Sequence, residues 1–223
     1  LIPNGFVIYQ PKDIVAGDFY WLNQKDNDLY IAACDCTGHG VPGALVSVVC
    51  NAALNRSIKE FALETPGEIL DKTRELVLTE FEKSEDEVSD GMDIALIRLN
   101  GNKLSFSGAN NPLWIVRKNS DLVEDIKGCK QSIGLTNNPT AFITHETDLR
   151  TGDCVYIFTD GYSDQFGGPK GKKFKSRAFK ELLQSVYEEP INQQKEIIES
   201  TIKAWKGKLE QVDDICVIGL RVN

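Results

Sequence analysis

The sequence predicts an α+β fold built as a four-layer α-β-β-α sandwich, two packed antiparallel sheets flanked by helices. Three observations carry this. The segments run in the order strands, two helices, strands, two helices, strand, which suits sheets packed on each other with helices covering the outside. The strand segments are short, rich in β-branched and aromatic residues, and divided by turn residues. The helical segments repeat their apolar residues three and four positions apart. A chain of 223 residues and 24.8 kDa can bury a sizeable core, and no internal repeat or linker divides it. It is read as a single domain over residues 1–223.

Residues 6–9, 18–22 and 29–34 read as strands, the last two separated by the turn-rich Asn23-Gln24-Lys25-Asp26-Asn27-Asp28, which predicts a hairpin. After Gly38-His39-Gly40, Pro42 suits a first helical turn. Leu45, Val48, Val49, Ala52 and Ala53 then recur at helical spacing along an almost uncharged segment, which predicts a deeply buried helix. Thr65-Pro66-Gly67-Glu68 has the form of a capping box, and Ile69, Leu70, Thr73, Leu76, Val77 and Phe81 mark one face of a second helix. The acidic run at 80–90 reads as a solvated helix end and loop. Ile94-Ala95-Leu96-Ile97, Leu104-Ser105-Phe106 and Trp114-Ile115-Val116, divided by Asn100-Gly101 and Asn110-Asn111-Pro112, predict an antiparallel meander. Strands at 142–147 and 155–158 precede two helical patterns, Phe179, Leu182, Leu183, Val186 and then Ile197, Ile198, Thr201, Ile202, Trp205, with Gly207 as a stop. The last strand is 215–220.

Thirty-three acidic residues against 25 basic ones give a net charge of -8, which repels phosphate backbones and argues against nucleic acid as a partner. The uncharged stretch at 36–55 carries Gly38, His39, Gly40, Pro42, Ser47 and Asn51, so it reads as a loop entering a helix and not as a membrane span. Of six cysteines, Cys34, Cys50, Cys154 and Cys216 lie in apolar segments, and in a chain this long they read as free thiols in a reducing compartment, which predicts a cytoplasmic domain. The first residue is Leu1 and no basic segment with an apolar core follows, so the chain is expected to come from a longer protein.

The acids of interest stand at strand ends. Asp18 opens a strand after Gly17, Asp35 ends the apolar run at 29–34, Asp160 ends the run at 155–158, and Asp213 and Asp214 open the final strand. One such Asp is ordinary turn chemistry. Several together, beside buried strands and without a matching basic cluster, repel one another unless a cation compensates. Hard oxygen ligands suit Mg²⁺ or Mn²⁺ better than zinc. A rival zinc reading, Cys34-x-Cys36-x-x-His39, is weaker: Cys34 should point opposite to Asp35 on a strand, and no second Cys-rich pair completes a closed site.

Pro11-Lys12-Asp13-Ile14-Val15-Ala16-Gly17-Asp18-Phe19-Tyr20, Asp35-Cys36-Thr37-Gly38-His39-Gly40-Val41-Pro42-Gly43-Ala44, Phe158-Thr159-Asp160-Gly161 and Asp213-Asp214-Ile215, taken in order, span nearly the whole chain. Together they resemble the metal-dependent 2C-type (PPM) serine/threonine protein phosphatases, in the bacterial branch typified by stage II sporulation protein E (SpoIIE). Ser107-Gly108-Ala109-Asn110-Asn111-Pro112-Leu113 and residues 165–174 also look like family elements.

The resemblance implies two Mn²⁺ or Mg²⁺ ions bridged by Asp35, with the carbonyl of Cys36 as a further ligand. Asp18 would serve one ion, partly through water, and Asp160 and Asp213 the other. Asp214 stands where eukaryotic relatives often carry Asn and is left out of the ligand set, as are Asp90 and Asp93, which turn and strand-start chemistry explain as well. The segment Gly108-Ala109-Asn110-Asn111 lacks the Gly-Asp pair that helps eukaryotic members hold a third ion. His39 is read either as the acid that protonates the leaving serine or threonine oxygen, or as a loop histidine with a structural hydrogen bond. Lys12 is read either as steering the substrate phosphate or as a solvated surface lysine. The glycine-rich, basic segment at 167–173 is read as a flap over the substrate or as an ordinary exposed loop.

The implied reaction is hydrolysis of phosphoserine and phosphothreonine on a protein by a metal-activated water, without a phosphoenzyme. The alternative is a catalytically quiet domain that binds phosphoproteins or regulates. Family members act on anti-sigma antagonist proteins and often form the carboxy-terminal output of longer bacterial signalling proteins. The expected partners are therefore a phosphorylated protein, an amino-terminal sensor or regulatory domain, which can tether the full-length protein to a membrane, and a second copy in a homodimer.

Overall fold

The computed structural model describes residues 4–81, 90–120 and 122–223; most of the acidic run at 80–90 lies outside the described residues. The chain begins with β1 (Gly5–Gln10), β2 (Phe19–Lys25) and β3 (Asp28–Cys36), followed by α1 (Gly40–Lys59) and α2 (Pro66–Phe81). Strands β4 (Met92–Asn100), β5 (Lys103–Ala109), β6 (Leu113–Val116), β7 (Val123–Ile126), β8 (His145–Asp148) and β9 (Cys154–Phe158) come next. A single helical turn, α3 (Gly161–Asp164), leads into the small hairpin β10 (Phe166–Gly167) and β11 (Lys172–Lys173). Helices α4 (Ser176–Val186) and α5 (Ile191–Lys206) and strand β12 (Ile215–Arg221) complete the fold.

Two five-stranded antiparallel sheets result, ordered β1-β12-β9-β6-β7 and β2-β3-β4-β5-β8. They pack face to face, with α1 and α2 on the outer face of one and α4 and α5 on the outer face of the other. This is the predicted α+β sandwich. Strand alternation explains why both faces of β3 are apolar: Ile31 and Ala33 join the core between the sheets, while Tyr30, Ala32 and Cys34 join the core under the helices. Asp35 continues the inter-sheet register of Ile31 and Ala33, so the chain delivers a carboxylate to the open end of the inter-sheet core.

Five expectations change. The hairpin turn is tighter than the six polar residues suggested, because β2 and β3 stay paired to Lys25 and Asp28, leaving Asp26 and Asn27 at the tip with Asp26 at φ 54°. Helix α1 is not deeply buried. Gly43, Val46, Cys50, Ala53, Leu54, Ser57 and Ile58 face the core, but Val41, Leu45 and Val48 are each 66% exposed. Its small and apolar residues surround the helix, so spacing alone did not choose the inner face.

The predicted meander is divided between the two sheets. β4 and β5 form a hairpin in one, whereas β6 pairs with β7 and β9 in the other. The crossing is made at Asn110, which adopts φ 56°, a conformation that Asn tolerates better than most residues. The strand expected at 142–147 begins three residues later, because Phe142 is buried against α2 and its N–H is bonded to Asp71. The capping-box residues meet differently from the usual form: the Thr65 hydroxyl donates to the Glu68 carboxylate at 2.5 Å. All six cysteines are free, five of them buried.

Candidate metal centre

The carboxylates expected at strand ends come from both sheets. Asp18 and Asp35 belong to the β2–β3 hairpin, Asp160 follows β9 at the start of α3, and Asp213 precedes β12. Asp18 is 4% exposed and its Oδ2 has no hydrogen-bond partner. Burial pushes its pKa well up, the charge of Asp35 adds to this, and a hydrogen bond from Thr159 opposes it. Asp35 is likewise raised by burial and then by Asp160, Asp213 and Asp93, while the backbone N–H of Asp160 pulls the other way. Asp160 is exposed at the surface, yet desolvation by the surrounding protein, and then Asp164 and Asp213, push it up to about 6, with Lys173 opposing. The four acids therefore share one field, and the main influences on Asp18 and Asp35 are acidic or neutral.

That field is the test of whether a divalent cation fits. An orphaned buried carboxylate oxygen and mutually raised acids are what remains when a compensating positive charge is taken away. Among the described residues, no three His, Cys, Asp or Glu side chains close around one point as a ready-made cage. The zinc alternative fails on geometry, since the Cys34 and Cys36 side chains lie in the core under α1 while His39 is exposed.

Local backbone features place the rest. Gly38, at φ +82°, turns the chain from β3 toward α1. Gly17 and Gly43 let two segments touch, because a Cβ on either would sit 2.2 Å from the Gly38 carbonyl oxygen. His39 lies in this turn with both ring nitrogens occupied: Nδ1 is 2.9 Å from Asp13 Oδ2, and Nε2 is 3.0 Å from Lys12 Nζ. Lys12 and His39, read separately from the sequence, are thus in contact, and Asp13 joins them without having been singled out.

Asp93, weighed from the sequence and left out of the site, lies beside Asp35. It pairs with Asp35 across the β3–β4 ladder and accepts hydrogen bonds from Ser132 Oγ (2.5 Å) and Asn110 Nδ2 (2.9 Å). Its alternation with the inter-sheet residues Ala95 and Ile97 was the signal that could have found it. The segment at 167–173 is the β10–β11 hairpin, anchored where Gly168 N–H donates to the Trp205 carbonyl at 2.8 Å, with Lys173 paired to Asp164 at 2.7 Å.

The family described as stage II sporulation protein E (SpoIIE) matches residues 25–223. The chain belongs to the SpoIIE family. Asp35, Cys36, His39, Asp160 and Asp213 fall inside the matched span, and Lys12 and Asp18 lie just ahead of it. Its fold is that of the 2C-type phosphatase domains. The SiaA-PP2C domain of Pseudomonas aeruginosa superposes with a TM-score of 0.88 at 29% identity, covering 99% of this chain and 86% of that one. The phosphatase domain of SpoIIE from Bacillus subtilis, solved with a fragment of its regulatory domain, gives 0.78 at 17% identity, covering 99% and 63%. RsbX in complex with magnesium gives 0.65 at 16% identity, covering 98% and 94%. Comparison with the curated proteins found no match. The chain is thus a SpoIIE-family domain with the fold of the 2C-type phosphatase domains.

Proposed function

We propose that this domain hydrolyses phosphoserine and phosphothreonine on a protein substrate with the help of two Mn²⁺ or Mg²⁺ ions. What supports the reading is the electrostatic coupling of Asp18, Asp35, Asp160 and Asp213, drawn from the two sheets, with the unpartnered buried Oδ2 of Asp18: a repulsion that either protonation or a bound cation relieves. Divalent ions in such a site supply charge to hold a phosphomonoester dianion and activate a water for in-line attack. Asp35, with the Cys36 carbonyl, Asp18, Asp160 and Asp213, is the proposed ligand set. The magnesium recorded in RsbX supports a divalent ion of this kind.

The remaining residues act on the substrate. Lys12, whose ammonium lies 3.0 Å from His39 Nε2, is the proposed partner of the phosphate's negative charge. His39, held by Asp13 on one nitrogen, turns the other toward Lys12, and from this position the pair delivers a proton to the departing serine or threonine oxygen. Cys34, Cys36 and Cys216 stay out of the chemistry: burial raises the thiol pKa of Cys34 and Cys216, and a hydrogen bond with Cys50, then burial, raises that of Cys36.

The proposed setting is the cytoplasm, with an amino-terminal regulatory segment and pairing of two copies as controls on activity. Phosphate release from a phosphoserine peptide, measured with Mn²⁺ and with a chelator, tests the reaction. Turnover that requires the metal and vanishes in Asp35→Asn is expected; peptide binding without turnover would establish the quiet, regulatory alternative instead. Sedimentation showing a monomer at every concentration would remove the homodimer.

A further inference from the structure

Asp214 was set aside as a ligand, and the structure gives its carboxylate other work. It is 1% exposed. Oδ1 accepts the N–H of Lys12 at 2.7 Å, and Oδ2 accepts the N–H groups of Gly17 at 2.8 Å and Asp18 at 3.3 Å. Its own N–H donates to Asp213 Oδ1 at 2.9 Å. One residue immediately before β12 therefore binds both ends of the loop at 11–18, which leaves β1 of the same sheet and enters β2 of the other, and also orients Asp213.

We propose that Asp214 is a positioning residue for the phosphatase reaction, a backbone-binding carboxylate that fixes the loop carrying Asp18, Lys12 and Asp13. Because Lys12 and Asp13 hold the two ring nitrogens of His39, the anchor extends through the loop to that imidazole. The reading rests on the proposed function. It also gives a reason for Asp at this position: a carboxylate has two acceptor oxygens and takes N–H donors on both sides, whereas the NH₂ of Asn accepts nothing. Gly17 completes the arrangement, since its bare Cα lets the anchored loop lie against the Gly38 carbonyl.

The test is amide hydrogen exchange combined with imidazole NMR on Asp214→Asn and Asp214→Ala; the chain has only two histidines, so the His39 signals are readily assigned. In Asp214→Asn, which keeps one acceptor, exchange at Lys12 or at Gly17 and Asp18 should rise about tenfold or more while β9 and β12 amides hold their protection. The His39 ring signals should shift in the same variant. The order of loop protection should be Asp, then Asn, then Ala, and kcat should fall about 10–100-fold with KM little changed. Unchanged loop exchange and unchanged His39 signals in Asp214→Asn overturn the inference. So does exchange that rises equally across the sheets, which is the mark of a residue that only stabilises the fold. If the unaltered domain releases no phosphate, the proposed function falls, and the exchange and NMR results still decide whether Asp214 anchors the loop.

Discussion

Asp35 and Asp93 face each other across the β3–β4 ladder, two acids in directly opposed positions on the side of the sheet that looks toward its partner sheet. Like charges so placed weaken a ladder, and Asp93 is one of the charges that raise Asp35. Ser132 and Asn110 hold Asp93 in place, so the pairing is built and not incidental. Asp93→Asn should weaken Mn²⁺ binding about 10–100-fold, as loss of an outer partner commonly does. Calorimetric titration with Mn²⁺ measures this; an unchanged affinity separates Asp93 from the centre.

Asp35→Asn should have opposite effects on activity and on stability. It removes the proposed bridging ligand, so metal-dependent phosphate release should disappear. It also removes an acid whose ionisation is opposed by desolvation and by Asp160, Asp213 and Asp93, so the metal-free variant should melt above the metal-free parent. A melting temperature below the parent's in chelator would mean that the acids do not repel as described.

The sign of the pH dependence follows from the raised values. An acid whose pKa is higher folded than unfolded stabilises the folded state below its unfolded pKa, and that contribution is lost as pH rises through the folded pKa. For Asp160 the window runs from 3.8 to about 6, and for Asp18 and Asp35 it extends higher. Asp28 and Asp153 behave oppositely, since hydrogen bonds from Arg98 and Asn100, and from Lys118 and Arg117, overcome burial and hold them low; their effect is confined to more acid pH. The chelated protein should therefore lose stability between about pH 4 and pH 8, and the rise in melting temperature on adding Mn²⁺ should grow over the same interval. A stabilisation by Mn²⁺ that does not vary with pH would contradict this.

The four acids were legible in the sequence because each ends or opens an apolar run, and a strand end fixes where a side chain can go. The two sheets were legible because short β-branched runs and turn residues mark strands wherever they pair. Which sheet a strand joins was not legible: β6 follows β5 after three residues, yet Asn110 turns it into the opposite sheet. The Asp214 anchor and the contact of Lys12 with His39 were hidden for a related reason, since both join segments remote in sequence and neither leaves a local pattern.

Helix α1 allows a direct test of the face that spacing misassigned. Leu45 is 66% exposed and Leu54 fully buried on the same helix. Leu54→Ala should cost about 2–5 kcal/mol, whereas Leu45→Lys should change stability by about 0.5 kcal/mol or less in dilute monomer. Urea unfolding of both variants measures the difference, and equal costs would restore the deeply buried helix.

The glycine contact between the two loops separates damage to the site from damage to the fold. A Cβ at position 17 would lie 2.2 Å from the Gly38 carbonyl oxygen and 3.2 Å from the Cys36 carbonyl oxygen, both backbone atoms with little freedom to move. Gly17→Ala should therefore cost about 1–3 kcal/mol by overpacking and should also displace Asp18 and the Cys36 carbonyl, weakening Mn²⁺ binding. Gly171→Ala provides the comparison. Gly171 lies at φ +56° at the tip of the β10–β11 hairpin with open space where a Cβ would go, so the cost there is conformational, about 1–2 kcal/mol, and remote from the acids. Both variants should unfold at lower urea, but only Gly17→Ala should require more Mn²⁺ for half-maximal phosphate release. Equal metal requirements in the two would show that the glycine contact serves the fold alone.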